Sequence, residues 1–283
     1  MSSTTPSRAS IAGRTVLMSG GSRGIGLAIA RRLAREGANI AFLAKTDTPH
    51  PRLPGTVHTA AADIEAAGGR ALPVIGDVRD AQAVAGAVEA CVKVFGGIDV
   101  VVNNASAIDL RGFGELDRKR LDLMLDVNVR GTYTLVSQAL PHLLDAEDAR
   151  VLTLSPPLNP DPRWLATHAP YTVSKYAMTM LTLGVAHQFP ARIAASCLWP
   201  ETLIATAAVS NVVAGELGMR AARRPEIMAD AAHVILSSSS ADVSGRCLVD
   251  AAVLRAAGMD DLDHYAAVAG TAEEALETDL FIQ

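Results

Sequence analysis

Residues 19–26 read SGGSRGIG, and this string constrains the fold more than any other part of the chain. Ahead of it, RTVLMS is a short apolar run with the character of a buried strand. Behind it, IGLAIARRLAREGA carries apolar residues at helical spacing and stops at Gly37. In such a turn Gly20 permits the tight bend, Gly24 lets backbone approach a pyrophosphate, and Gly26 lets helix and strand pack closely. The helix N-terminus then offers free amides and the positive end of its dipole to phosphates. Glycine-rich turns also arise for packing alone, but a strand before and a helix after favour dinucleotide binding.

The rest of the chain repeats the alternation. NIAFLAK, RALPVIGDV, IDVVVNNAS, residues 150–155, residues 193–198 and GRCLVDAAVL read as strands. AADIEAAGG, DAQAVAGAVEACVKVFGG, residues 117–144 and residues 171–187 read as helices. One strand–helix unit about every 30 residues is the pattern of stacked βαβ units. The expected fold is α/β, a doubly wound Rossmann-type parallel sheet with helices on both faces, in a single domain. That domain is expected over 13–283, after a disordered stretch at 1–12. Residues 46–57, TDTPHPRLPGTV, hold three prolines and must form a long loop. The acidic tail from Met259 is expected to wrap over the domain. Hydrophobic residues make up 49% and aromatics 4%, so the core is built from Ala, Val, Leu and Ile, which suits a sheet covered on both faces.

The formal net charge of -5 gives no general attraction to phosphate chains, so no nucleic-acid partner is expected. No apolar run of about 18 residues occurs, so no membrane span is expected. Residues 1–10 are Ser/Thr-rich without the apolar centre of a secretion signal, which points to the cytoplasm. Cys91, Cys197 and Cys247 are scattered with no CxxC, and read as buried thiols in a reducing compartment. The histidines, His168 and His187 among them, show no metal-ligand spacing, and no metal is expected.

The end of the second strand bears on the cofactor. A carboxylate there would bind ribose hydroxyls and repel a 2′-phosphate. This chain has Ala44-Lys45-Thr46 instead, and Arg23 lies in the glycine turn. Two cations and a missing acid favour NADP(H), with NAD(H) possible because Asp47 is near. Arg52 and His58 are further candidate contacts. The alternative is that Lys45 and Arg23 are solvated surface charges.

YTVSK opens a helix and sets Tyr171 and Lys175 four residues apart on one face. A free Tyr titrates near pH ~10. A neighbouring ammonium favours the phenolate and makes the pair a usable acid/base near neutrality. The same spacing occurs on many helices without a role; here it follows a strand downstream of the glycine turn.

The glycine turn, Asp77-Val78, NNAS at 103–106, Asn128 and YTVSK resemble, in order and spacing, the short-chain dehydrogenase/reductase family over nearly the whole chain. KTDTPHPRLPGTVHTAA, NNASAI, LSPPLNPDPRW and LVDAAVLRAAGMDDLDHY are similar to its hydroxysteroid dehydrogenase-like protein 2 group. Some bacterial members of that group are described as citronellol/citronellal dehydrogenases. The sterol-carrier domain of some animal members is not expected in a chain of this length. The resemblance implies that Tyr171 is the acid/base. Lys175 would bind the nicotinamide ribose and lower the Tyr pKa, and Asn128 would hold a water that relays protons to Lys175. Gly20, Ser22, Arg23, Gly24, Ile25 and Gly26 would form the phosphate turn, with Lys45 beside the adenine ribose. Asp77 and Val78 would contact adenine, and Asn104 and Ala105 would line the cleft. Pro200, Thr202 and Ile204 would cover the nicotinamide. The helices 117–144 and 171–187 carry surplus Leu, Met and Val, and the family implies that they pair in a homotetramer or homodimer.

Two positions depart from the family pattern. A catalytic Ser, often the second of two serines, is usual before the Tyr. Here Ser155 is followed by Pro156, which has no donor to offer. Ser155 either reaches the substrate through a longer loop or is a strand-end hydroxyl bonded to backbone, leaving the substrate oxygen to Tyr171. Glu201 also stands where Gly usually follows Pro200. The expected activity is interconversion of a small hydrophobic alcohol and its carbonyl, on the apolar character of Leu158, Trp164 and Leu165, which could equally be packing. The rival is a nucleotide-binding regulatory protein of the same fold, motivated by Pro156. A dehydratase or epimerase of this fold would need sugar or phosphate contacts that nothing in the chain supplies.

Overall fold

The computed structural model describes residues 10–49, 55–210 and 215–282. Seven strands alternate with helices along the chain. They are β1 (Thr15–Ser19), β2 (Asn39–Ala44), β3 (Arg70–Ile75), β4 (Val100–Asn103), β5 (Ala149–Leu154), β6 (Ile193–Trp199) and β7 (Cys247–Val249). All pair in parallel in the order β3-β2-β1-β4-β5-β6-β7. The order reverses between β1 and β4, and ligands of such sheets bind at that switch point, beyond the strands' C-terminal ends.

The period of two within each strand feeds two cores. Val16, Met18, Ile40, Phe42, Val100 and Val102 face one side, against α1 (Gly24–Ala34), α2 (Val57–Ala66) and, further along, α8 (Glu226–Ser237). Leu17, Ala41, Leu43, Val101 and Val151 face the other, against α3 (Ala81–Phe95) and α5 (Gly131–Asp145). The single-domain doubly wound sheet expected from the sequence is the fold observed.

Local boundaries differ where side chains outvote periodicity. Ile11 is fully buried in the first core, so order begins before residue 13; residues 1–9 lie outside the described residues. Helix α2 starts at Val57 because Thr56 and Thr59 form a reciprocal capping box. The expected helix over 117–144 is α4 (Arg118–Met124) and α5 joined by a π segment, Leu125–Arg130. The helix of YTVSK, α6 (Pro162–Gln188), begins nine residues early. Asp161 caps it, Pro162 suits its first turn, and a break at His168 lets it pass Pro170. Trp164 and Leu165 therefore lie on the first turn of this helix. After α7 (Gly215–Arg220), α8 and α9 (Ser240–Val243), the last strand is only three residues, and Asp250 opens α10 (Asp250–Ala256). The cysteines are less scattered than their numbers imply. Cys197 and Cys247 are register partners on β6 and β7, and Cys247 is partly exposed; all three thiols are free.

Candidate active site

The glycine turn joins β1 to α1 at the switch point. Gly20 has φ +77°, and a Cβ there would meet Asn104 Nδ2 at 2.9 Å. A Cβ on Gly26 would lie 2.4 Å from the Gly20 carbonyl oxygen. Asn104 fixes this packing: its Nδ2 donates to the carbonyls of Ser19 (3.2 Å) and Gly20 (2.8 Å). The Ser19 hydroxyl accepts from the amides of Asn104 and Ala105, both at 3.2 Å. Arg23 stands at the N-cap with no side-chain cap, and the first turn of α1 has no acid. Its leading amides are thus left for an anion. Ser22 is buried, and Ile25 packs on the core.

At the end of β2, the Arg23 guanidinium donates to Thr46 Oγ1 (2.6 Å) and to the Gly55 carbonyl (3.3 Å). It is held against the strand end rather than free in solvent. Lys45 lies 3.4 Å from Asp77, which also pairs with Arg79 at 2.7 Å. The hydrogen bonds from Arg79 and the Lys45 charge hold the Asp77 carboxyl down at about 2. His58 pairs with Asp47 at 2.7 Å, and Arg52 lies outside the described residues. Arg79 is a third cation here, and the sequence reading passed over it. Val78 packs on Gly131, where a Cβ would come within 3.0 Å of its methyls.

Tyr171 and Lys175 lie on α6, 3% and 2% exposed. The Lys175 ammonium donates to the Leu154 carbonyl at 2.6 Å and sits 5.0 Å over the Trp199 ring. Burial lowers Lys175 to about 7, opposed by Asp279 and Cys197. Burial raises the Tyr171 phenol, and the Asp279 charge adds to the rise. The lowering expected from Lys175 is not found: both causes of the shift raise the phenol, which is held protonated. Asn128, in the π segment, accepts from the Ala107 amide (2.7 Å) and donates to the Ala107 carbonyl (3.0 Å) and Ser174 Oγ (2.9 Å). Ser174 donates in turn to the Tyr171 carbonyl at 2.8 Å. Asn128 therefore ties the loop after β4 to α6, and both its amide protons are used. The Ser155 hydroxyl is fully buried beside the Cys197 thiol and has no nitrogen or oxygen partner among the described residues. The Pro156 carbonyl accepts from Thr179 at 2.7 Å.

The loop after β6 carries Pro200, Thr202 and Ile204, all buried. Glu201 pairs with Arg223, itself 1% exposed, at 2.8 Å, and with Arg255 at 3.3 Å. A carboxylate in place of glycine thus anchors the loop to a buried cation. The segment 277–282 is laid along this loop. Thr278 bridges Thr202, the Leu203 amide donates to the Glu277 carbonyl (2.8 Å), and the Asp279 amide donates to that of Glu201 (3.0 Å). Phe281 enters an aromatic box of Trp164, Tyr171, Tyr176 and Trp199, with ring centroids 5.3–6.1 Å away. Arg223, Asp279 and Phe281 escaped the sequence reading. The only signal for the last two was an aromatic beside an acid within a polar tail.

The residues present fit a dinucleotide. The turn admits backbone approach where a Cβ would collide, the α1 amides are uncapped, and Thr202 presents a buried hydroxyl without a partner among the described residues. Among the described residues no cluster fits a metal ion, and no helix is long and apolar enough to cross a membrane.

Comparison with known proteins agrees with this geometry. The family model for short chain dehydrogenase matches residues 14–216. The chain therefore belongs to the short-chain dehydrogenase/reductase family. Within it, the chain is similar to proteins named hydroxysteroid dehydrogenase-like protein 2. It is 48% identical to that of Danio rerio over 92% of this chain and 62% of the relative. With that of Homo sapiens the identity is 45%, over 98% and 65%. The chain thus spans less than two thirds of these relatives. A short chain dehydrogenase structure from Mycobacterium thermoresistibile superposes with a TM-score of 0.90 at 48% identity, covering 97% of this chain and 96% of that one. A Xanthomonas campestris structure gives 0.91 at 46%, covering 97% and 99%.

Proposed function

We propose that this chain interconverts a small hydrophobic alcohol and its aldehyde or ketone with NADP(H) as the preferred cofactor. The observation that carries the reading is the convergence of Tyr171 and Lys175 on α6 with the glycine turn at one switch point. When bound, the nicotinamide supplies or accepts the hydride. In the reductive direction Tyr171, held protonated by burial, donates its proton to the substrate oxygen. Lys175 holds the ribose hydroxyls and brings the phenol back toward a usable range once it turns from the Leu154 carbonyl. Asn128 positions α6 through Ser174, and the second lone pair of its amide oxygen is the place for a relay water. Gly20, Ser22, Arg23, Gly24, Ile25 and Gly26 cradle the phosphates. Arg23 and Lys45 face the 2′-phosphate, with Arg79 as reinforcement. Asp77 and Val78 border adenine, Asn104 and Ala105 the cleft, and Pro200, Thr202 and Ile204 the nicotinamide. Ser155, buried beside Cys197, is given a packing role. The three free thiols support a reducing, cytoplasmic setting. Tyr133, Val173 and Met180 are 61%, 57% and 64% exposed on α5 and α6, which supports a homodimer or homotetramer through those helices.

The burial of Tyr171 under Phe281 favours one rival, a catalytically weak nucleotide-binding regulator. The deciding measurement is NADPH consumption with a panel of aliphatic, terpenoid and steroid carbonyls, run with product analysis. Turnover of a hydrophobic carbonyl supports the enzyme. Tight NADPH binding without turnover of any carbonyl, and without oxidation of the matching alcohols, leaves the regulator.

A further inference from the structure

Reduction at this site needs the substrate oxygen within about 3 Å of the Tyr171 phenol. The carbon skeleton attached to that oxygen must then lie among the side chains packed around Tyr171. Those side chains are apolar, and Tyr171 is 3% exposed beneath them. They come from the loop after β4, from α4 and α6, from the end of β6 and from residues 280–282. At the centre stands a phenyl ring of the chain itself. Phe281 is 1% exposed, and its ring centroid lies 5.6 Å from that of Trp164, 6.1 Å from Tyr171, 5.3 Å from Tyr176 and 5.9 Å from Trp199. Four aromatic rings around one benzyl group make a receptor for a flat or alicyclic hydrocarbon of that size. Phe281 takes up the space they enclose.

The covers on Tyr171 differ in how they are held. The loop after β4 is clamped by Asn128, which bonds both the amide and the carbonyl of Ala107. His168 Nδ1 lies 2.7 Å from the Leu110 carbonyl of the same loop. Strand β6 is paired along its length with β5, and α6 packs on both. The segment 277–282 is held differently. Along its outer edge the Glu277 amide donates to the Ala221 carbonyl, the Leu203 amide to that of Glu277 and the Asp279 amide to that of Glu201, and Glu277 and Thr278 are exposed. On its inner side the Trp199 indole donates to the Leu280 carbonyl (2.8 Å), and the Asn159 side-chain amide donates to that of Phe281 (3.0 Å). Phe281 sits at φ +71°, a left-handed conformation disfavoured for a residue with a Cβ. The aromatic box over-determines that backbone, and the strain is released when the ring leaves. One buried ring and a row of backbone bonds near solvent mark a segment that opens without the domain. Among the described residues that cover Tyr171, these are the ones able to move aside.

Resting on the carbonyl-reductase reading above, we propose that Phe281 sets substrate choice: its ring plugs the pocket for the substrate's hydrocarbon part, and an aryl or alicyclic carbonyl enters by displacing it as segment 277–282 swings out. The pocket is then lined by Trp164, Tyr176 and Trp199, with Tyr171 beside the substrate oxygen. A carbonyl without a ring has nothing to fill that pocket and gains nothing from emptying it.

Two measurements test this. The first follows hydrogen exchange in wild type alone, with NADP, and with NADP plus benzylacetone, a ketone that the oxidised cofactor cannot reduce. Displacement of Phe281 speeds exchange at the Leu203 and Asp279 amides when benzylacetone is added, and leaves β4 unchanged. Slower exchange at those amides would show a segment that closes over the substrate, and would overturn the plug. The second compares NADPH-linked reduction of benzylacetone and of propanal by wild type, Phe281→Leu and Phe281→Ala, with a melting curve and an NADPH titration for each. A plug reduces apparent affinity by the fraction of time the pocket stands open, so kcat/KM for benzylacetone is expected to rise about tenfold in Phe281→Ala, and less in Phe281→Leu, with propanal changed by less than about threefold. If Phe281 were a wall of the pocket, benzylacetone would be reduced less well by both variants, and the proposal would be overturned. Should Phe281→Ala lose its melting transition, Phe281→Leu and the exchange measurement decide. If wild type and variants turn over no carbonyl and no matching alcohol, the reductase reading falls and this proposal with it. Turnover of propanal with an unchanged preference between the two substrates in Phe281→Ala overturns this proposal alone.

Discussion

Phe281 lies over Tyr171, their ring centroids 6.1 Å apart and their planes 28° from parallel. A residue near the end of the described chain therefore covers Tyr171 of α6. The same ring contacts Trp164, Tyr176 and Trp199, so α6, the end of β6 and the segment 277–282 share one small core.

Removing that ring should loosen the segment before it unfolds the domain. Truncating a buried Phe to Ala costs about 3–5 kcal/mol when the site cannot collapse. Here the segment can detach instead, and local opening caps the loss. Phe281→Ala is expected to speed hydrogen exchange at the Leu203 and Asp279 amides, which bond across the junction, and to change Trp199 fluorescence. Amides of β1 and β4 should be unaffected. Unchanged exchange at Leu203 and Asp279 would mean that the backbone bridges alone hold the segment. Leu217→Ala, at a side chain 82% exposed, is the control and should change nothing.

Tyr171→Phe removes the phenol oxygen and keeps the ring that stacks on Phe281. Turnover is expected to fall by about 10²-fold or more, the range of a lost general acid. NADPH affinity and the melting midpoint should stay near wild type, because the hydroxyl makes no hydrogen bond within the described residues. Turnover within a few-fold of wild type in steady-state assays would remove Tyr171 from the chemistry.

The cations at the end of β2 should be worth affinity for the 2′-phosphate. A charge-assisted bond contributes roughly 1.5–3 kcal/mol. Arg23 is already oriented by Thr46 and Gly55, whereas Lys45 and Arg79 share Asp77 and are partly neutralised. The low end of the range, about tenfold, is therefore expected for Arg23→Ala on NADP, and less for Lys45→Ala. Ala44→Asp should turn preference toward NAD by repelling the phosphate and accepting from the ribose. Equal affinity of wild type for NAD and NADP in calorimetry would reduce Arg23 to a structural tie between the glycine turn and the loop after β2.

How much of this could be read from the chain follows from the range of each interaction. The sheet was legible because strands buried on both faces leave apolar runs, as in TVLMS and NIAFLA, and because glycine turns punctuate them. The Gly20, Gly26 and Asn104 cluster was legible in part: the glycines signal a close approach, but nothing local says that Asn104 is what approaches. The π segment around Asn128 left no trace, since one extra residue in a helix barely alters an apolar stripe. Pro162 and Pro170 pointed away from helix, and only the Asp161 cap and the break at His168 reconcile them with it. Arg223 was invisible because its partners Glu201 and Glu273 are distant in sequence. Asp279 and Phe281 lay in a stretch whose composition reads as solvated, and only the fold brings them to Tyr171.

The carboxyl of Asp250 makes a prediction about stability and pH. It is fully buried; Oδ1 accepts from the Glu201 amide (2.8 Å) and the Ala251 amide (2.7 Å), and Oδ2 has no partner among the described residues. Burial, with Glu201 adding, raises it to about 7, against the two amides and Arg223. An unfolded Asp titrates near ~3.9. Between those values the folded state binds a proton that the unfolded state does not. Its contribution to stability is complete below about 4 and is lost as pH rises through about 7. Asp250→Asn keeps an oxygen for both amides and places an NH2 where the proton sat, without titrating. Urea unfolding at about pH 5 and about pH 8 should therefore show wild type losing roughly 1–4 kcal/mol more than the variant over that interval. Asp279 is raised in the same direction, in part by Asp250, so Asp250→Asn also removes some of that rise and widens the difference between the two proteins. Parallel losses in the two proteins would show that Asp250 ionises in the folded state as it does in water, with Arg223 offsetting its burial.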